Sequence, residues 1–121
     1  MKIAITANEN NLDSTIDTRF GRCNFFLIVD TVTMSFESIS NESAKTSGGA
    51  GIQAAQRIVN TGCKAVLTGN IGPNAFKIFD STGIKVFTGL NGPIKEALIN
   101  YKNGKIKETK SPNVGSHFGM K

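Results

Sequence analysis

From residue 50 onward, stretches whose apolar residues recur at helical spacing alternate with short apolar runs too brief for a helix, and this alternation most narrows the fold. In SGGAGIQAAQRIVNTG, Ile52, Ala55, Ile58 and Val59 share a helical face and Gly62 supplies the stop. The run KAVLT at 64–68 reads as a strand. After the loop GNIGP, a second helix opens with Pro73 near its first position, buries Ala75, Phe76, Ile78 and Phe79, and ends at Gly83. A strand at 84–88 and the loop GLNGP lead to a third helix, whose Ile94, Ala97, Leu98 and Tyr101 recur at three and four before Gly104. Strands joined through helices must be parallel, with right-handed crossovers.

The first half obeys a different rule. KIAIT at 2–6 is a short β-rich run, and FFLIVD at 25–30 is apolar nearly throughout, as an interior strand covered on both faces requires. Residues 35–40 place Phe36 and Ile39 among polar neighbours, which suits an antiparallel edge strand reached by a tight turn at 31–34. The order β-β-β-α-β-α-β-α then gives an α/β fold: a five-stranded mixed sheet of order 3-2-1-4-5 with three helices, the ribonuclease H-like arrangement. With 121 residues the chain forms one domain, 1–121, with a flexible tail from about 107.

Strand directions bring the loops 6–24, 41–51, 69–73 and 88–93 to one rim, and ligands of open α/β sheets bind at such carboxyl ends. Gly48, Gly49 and Gly51 precede the first helix, Gly69 and Gly72 the second, and Gly89 and Gly92 the third. Three helix N-termini facing one pocket favour an anion, although tight βα turns alone would also call for glycine. Cys23 lies at this rim between Arg22 and the interior strand, with Arg19 nearby; flanking cations favour a thiolate, a soft metal ligand, while simple packing is the plainer reading. Cys63 falls at the opposite end of the sheet, about 16 Å of strand away, which rules out a Cys23–Cys63 disulfide. His117 is the one histidine and lies in the tail, from which it could supply an imidazole to a bound cluster.

Several classes are disfavoured. No P-loop spacing occurs, and SGGAG does not follow the first strand as a dinucleotide fingerprint would. The first strand carries no carboxylate for a two-metal nuclease, and no nucleophile–base pairing is readable. The formal net charge of +5 is concentrated toward 102–121 without an aromatic stacking platform, which speaks against nucleic acid. No run approaches the roughly 20 apolar residues of a membrane span, and MKIAITANEN lacks a signal peptide's apolar region, so a cytoplasmic protein with reduced thiols is expected.

The segments FGRCNFFLIVD at 20–30, GGAGIQAA at 48–55, VLTGNIGPNAF at 66–76 and GIKVFTGLNGPIKEALINYKNGKI at 83–106 together resemble the dinitrogenase iron–molybdenum cofactor biosynthesis family over nearly the whole chain. The resemblance implies a ribonuclease H-like carrier related to nitrogen fixation, binding an iron–molybdenum cofactor precursor or a related molybdenum-, iron- or copper-sulfide cluster without catalysis. Larger members carry an added helical domain or a radical-enzyme module; here only the shared domain is matched. Carried over position by position, the cluster rim comprises Arg22, Cys23, Gly48, Gly49, Gly51, Gly69, Asn70 and Gly72, with Cys23 and His117 as metal ligands; the rim reading adds Gly89 as a cofactor-binding residue. Cluster-donor or acceptor proteins are the implied partners. The alternative is an enzyme or regulator that binds a phosphorylated small molecule or nucleotide at the same rim.

Overall fold

A computed structural model describes residues 1–45 and 49–115. The strands are β1 (Lys2–Ala7), β2 (Phe25–Asp30), β3 (Phe36–Ser40), β4 (Ala65–Leu67) and β5 (Lys85–Phe87), and the helices are α1 (Ala50–Asn60), α2 (Pro73–Ser81) and α3 (Ile94–Lys102). They form one sheet in the order β3-β2-β1-β4-β5. β1 is antiparallel to β2 and parallel to β4, so the meander and the crossovers meet at β1 as the sequence pattern requires. A short 3-10 turn at Glu42–Lys45, inside what reads as loop, joins β3 toward α1.

Strand alternation divides the core between the two sheet faces. Ala4, Phe26, Ile28 and Val66 pack with Ala54, Ala55 and Ile58 of α1 and Ala75 and Phe79 of α2. Ile3, Ile5, Leu27, Val29 and Leu67 pack with Ile94, Ala97 and Leu98 of α3. Phe20 fills the first cluster with its ring against Phe26 and edge-on to Phe79, both at 5.4 Å between centroids.

Two expectations change here. Ile52 does not join the buried face of α1; it stays 37% exposed, and small residues, Ala50, Ala54 and Ala55, take the inward positions with Ile58. Gly51 faces α2, where a methyl would meet the Cβ of Ala75 at 3.7 Å. The segment after α3 is also held. Ile106 packs against the α3-side cluster, Thr109 donates its N–H to the Val86 carbonyl at 2.7 Å, and Asn113 docks on the loop before α2. Residues from Ile106 to Val114 are therefore held against the fold, past the point where the sequence suggests a loose tail. Among the described residues no helix is long and apolar enough to cross a membrane.

Candidate functional site

The 8–24 loop is folded onto the sheet before it reaches the rim. Thr6 donates its hydroxyl to the Asp17 carbonyl at 2.6 Å and shares a 2.9 Å hydrogen bond with the Thr68 hydroxyl, inside the protein. The buried Asp17 carboxylate accepts the Arg19 backbone N–H at 3.1 Å and faces the Arg19 guanidinium at 3.3 Å. Arg19 is thus committed to Asp17, and the loop turns at Phe20–Arg22 beside the start of α1.

Two glycines make this approach possible. A Cβ at Gly21 would lie 2.9 Å from the Gly51 nitrogen, and one at Gly69 would lie 2.7 Å from the Thr18 Cα, both inside real contact distances. Gly69 therefore serves the fit of two protein segments rather than the approach of a ligand. Gly21 has the same steric role at the mouth of the site, and a single glycine inside FGRC offers no spacing by which to find it.

The resulting cleft encloses about 90 Å³. Its walls come from Phe20–Arg22, Gly49–Ile52, Asn70 with Gly72–Ala75, and Val114–Gly115. Both α1 and α2 begin at it. Gly49 starts α1 in the left-handed region (φ 71°) with no side-chain cap, Gly72 precedes α2 likewise uncapped, and neither first turn contains an acid. Uncapped first-turn N–H groups and two helix dipoles favour negative charge at this mouth. Arg22, which also donates to the Ala44 carbonyl at 2.7 Å, adds a full positive charge to the wall.

Of the rim residues singled out from sequence, Arg22, Gly49, Gly51, Asn70 and Gly72 meet at this cleft. Gly48 and His117 lie outside the described residues. Gly89 does not line the cleft: its N–H donates to the Gly69 carbonyl at 2.8 Å. The third helix end is absent from the pocket too, because α3 packs on the opposite sheet face. Its start is closed by Ser14, whose carbonyl accepts the Ile94 N–H at 3.0 Å, and Glu96 already occupies its first turn. The site has two helix N-termini instead of three.

Cys23 is a further correction. Its side chain is fully buried with Phe20, Phe26 and Ala54 rather than presented to the rim. Burial, seconded by the negative charge of Asp17, pushes its thiol far above the ordinary cysteine range, outweighing Arg19 and a 3.7 Å contact from the Asn41 amide. A neutral, enclosed thiol is not the rim thiolate that the flanking arginines suggest. Cys63 is also a free, buried thiol. Among the described residues no group of three or more His, Cys, Asp and Glu side chains converges. The chemistry on offer is outer-sphere: amide N–H groups, one guanidinium, and apolar contact from Phe20, Ile52, Pro73 and Val114.

The family model for dinitrogenase iron-molybdenum cofactor proteins matches residues 1–104. The uncharacterised Methanocaldococcus jannaschii protein MJ0580 is 32% identical over 111 residues, spanning 89% of this chain and 91% of that protein. Among solved structures, the apo form of the orange protein from Desulfovibrio gigas superposes with a TM-score of 0.90 at 38% identity, covering 93% of this chain and 96% of its own. A Thermotoga protein, TM1290, superposes with a TM-score of 0.78 at 29% identity, covering 93% and 98%.

Proposed function

The chain belongs to the dinitrogenase iron-molybdenum cofactor family, and on that premise we propose that it carries an anionic metal–sulfur cluster in the cleft between the starts of α1 and α2. The observation that carries this reading is the pairing of two acid-free helix starts with Arg22 around a cleft whose other walls mix the apolar Phe20, Ile52, Pro73 and Val114 with Asn70 and Asn74. Negative charge is met by the helix ends and the guanidinium. The soft, polarisable sulfides of a molybdenum–iron or molybdenum–copper cluster tolerate contact with Phe20, Ile52 and Val114, where a hard phosphate would want polar donors on every side. The protein holds and delivers the cluster without transforming it. Donor and acceptor proteins are its partners in this reading, in the cytoplasm.

Cys23 is not given a ligand role in this proposal, since its sulfur lies within the core. His117 lies outside the described residues and is kept as a proposed inner-sphere ligand on the family resemblance alone.

Anaerobic titration with tetrathiomolybdate, alone and with ferrous or cuprous ion, tests the reading by visible absorption. The wild type should develop stoichiometric new bands that survive desalting, Arg22→Ala should weaken uptake about tenfold, and Cys23→Ala should leave the bands in place. A wild type that retains no cluster, but is stabilised by inorganic phosphate or a nucleotide, would favour the second reading, a phosphorylated ligand at the same helix starts.

A further inference from the structure

After α3 the chain does not leave the molecule. It returns along the outer edge of β5, where Thr109 donates its N–H to the Val86 carbonyl at 2.7 Å and accepts the Thr88 N–H on its hydroxyl at 2.9 Å. β5 is an edge strand of the sheet, so this strap covers backbone groups that would otherwise face solvent. Four residues later Asn113 reaches the loop that leads into α2. Its Oδ1 accepts the Ile71 N–H at 2.8 Å, and its Nδ2 donates to the Gly69 carbonyl at 3.1 Å and to Asn70 Oδ1 at 3.2 Å. Its backbone N–H and that of Val114 both point to the Ile71 carbonyl, at 3.2 and 3.3 Å.

Both amide hydrogens of Asn113 and its carbonyl oxygen are thus spent on three consecutive residues. Asn70 extends the connection: its Nδ2 donates to the Thr18 carbonyl at 2.9 Å, and its own carbonyl accepts the Phe20 N–H at 3.1 Å. The two amides join three of the four segments that wall the cleft, and the residues directly after Asn113, Val114 and Gly115, form part of that wall.

We infer that Asn113 is a positioning residue of the anion site: it latches the C-terminal strap to the Gly69–Ile71 loop, so that the strap becomes a wall of the cleft and the start of α2 is held toward the ligand. This rests on the carrier reading above. A residue that only tied down the chain end would affect stability; a latch that builds the cleft is thermodynamically linked to the ligand. Whatever factor the latch adds to affinity, the ligand returns as protection of the latch.

The test uses the full chain and tetrathiomolybdate as the probe. Asn113→Ala should bind it roughly tenfold more weakly than the wild type, the effect expected when a few hydrogen bonds that organise a site are lost. In the wild type, saturating probe should slow hydrogen exchange at the Asn113 and Val114 amides by a comparable factor. Unchanged affinity in a folded Asn113→Ala protein, or exchange at those amides indifferent to the probe, would overturn the inference while leaving the carrier reading intact. If the variant does not fold, the wild-type exchange experiment decides alone. A wild type that takes up no probe removes the carrier reading and this inference with it.

Discussion

A methyl group at position 21 would press on the backbone nitrogen of Gly51 at 2.9 Å, and neither partner is a flexible side-chain end that could move aside. Gly21→Ala should therefore cost about 1–3 kcal/mol in urea unfolding, the range for overpacking a tight contact. The buried thiols make a second prediction. An unfolded cysteine ionises near pH 8.5, while burial keeps Cys23 and Cys63 protonated in the native state. Above that pH the folded protein binds more protons than the unfolded one, so stability should fall as pH rises, and Cys23→Ala should flatten the decline. In the native protein Cys23 should react with Ellman's reagent only at the rate of opening. Asp30 behaves with the opposite sign: the Val32 and Thr33 N–H groups hold its carboxyl below the usual range. Its contribution is present above the unfolded value of about 3.9 and is lost as pH falls, and Asp30→Asn should remove it from the acid limb of the unfolding curve. The chain position of Cys23 at the head of β2 was readable from sequence, but the direction of its side chain was not. It precedes the strand, so the alternation that orients Phe26 and Leu27 does not extend to it.

Right-handed crossovers place α1 and α2 on one face of the sheet, because each connects parallel strands. No such rule binds α3, which follows the last strand. Its apolar spacing was legible, but its face is set by the apolar side of the sheet that α1 and α2 leave uncovered, Ile3, Ile5, Leu27, Val29 and Leu67. This is why three glycine-rich helix starts on one rim become two at the cleft. It also yields a test that separates stability from binding. Gly92 stands at φ 79° before α3, so Gly92→Ala should cost about 1–2 kcal/mol of stability and leave tetrathiomolybdate affinity unchanged. Ile52 was misplaced for a related reason. Helical spacing identifies a face only to within a residue or two, and the inward positions of α1 go to Ala50, Ala54, Ala55 and Ile58, leaving Ile52 at the mouth of the cleft. The strap left still less trace, since Thr109 and Asn113 dock through hydrogen bonds to backbone and have no hydrophobic period to announce them.

In the whole molecule, the 3-2-1-4-5 sheet turns an antiparallel meander and two crossovers into one rim where the loops before α1 and α2 converge. On the proposed reading, that convergence with Arg22 on its wall favours an anion, and contact with Phe20, Ile52, Pro73 and Val114 suits sulfide. The central claim is therefore positional: the anion lies between the starts of α1 and α2. Amide chemical-shift mapping of the ¹⁵N-labelled protein during anaerobic addition of tetrathiomolybdate tests it most directly. The account predicts saturable shifts at Gly21, Arg22, Gly49, Gly51, Ile52 and Asn74, with the amides of Gly89, Leu90, Asn91, Gly92 and Ile94 at the start of α3 unmoved. Shifts centred on 89–94 or on the opposite rim around Lys64 and Lys85, or none at all, would contradict it.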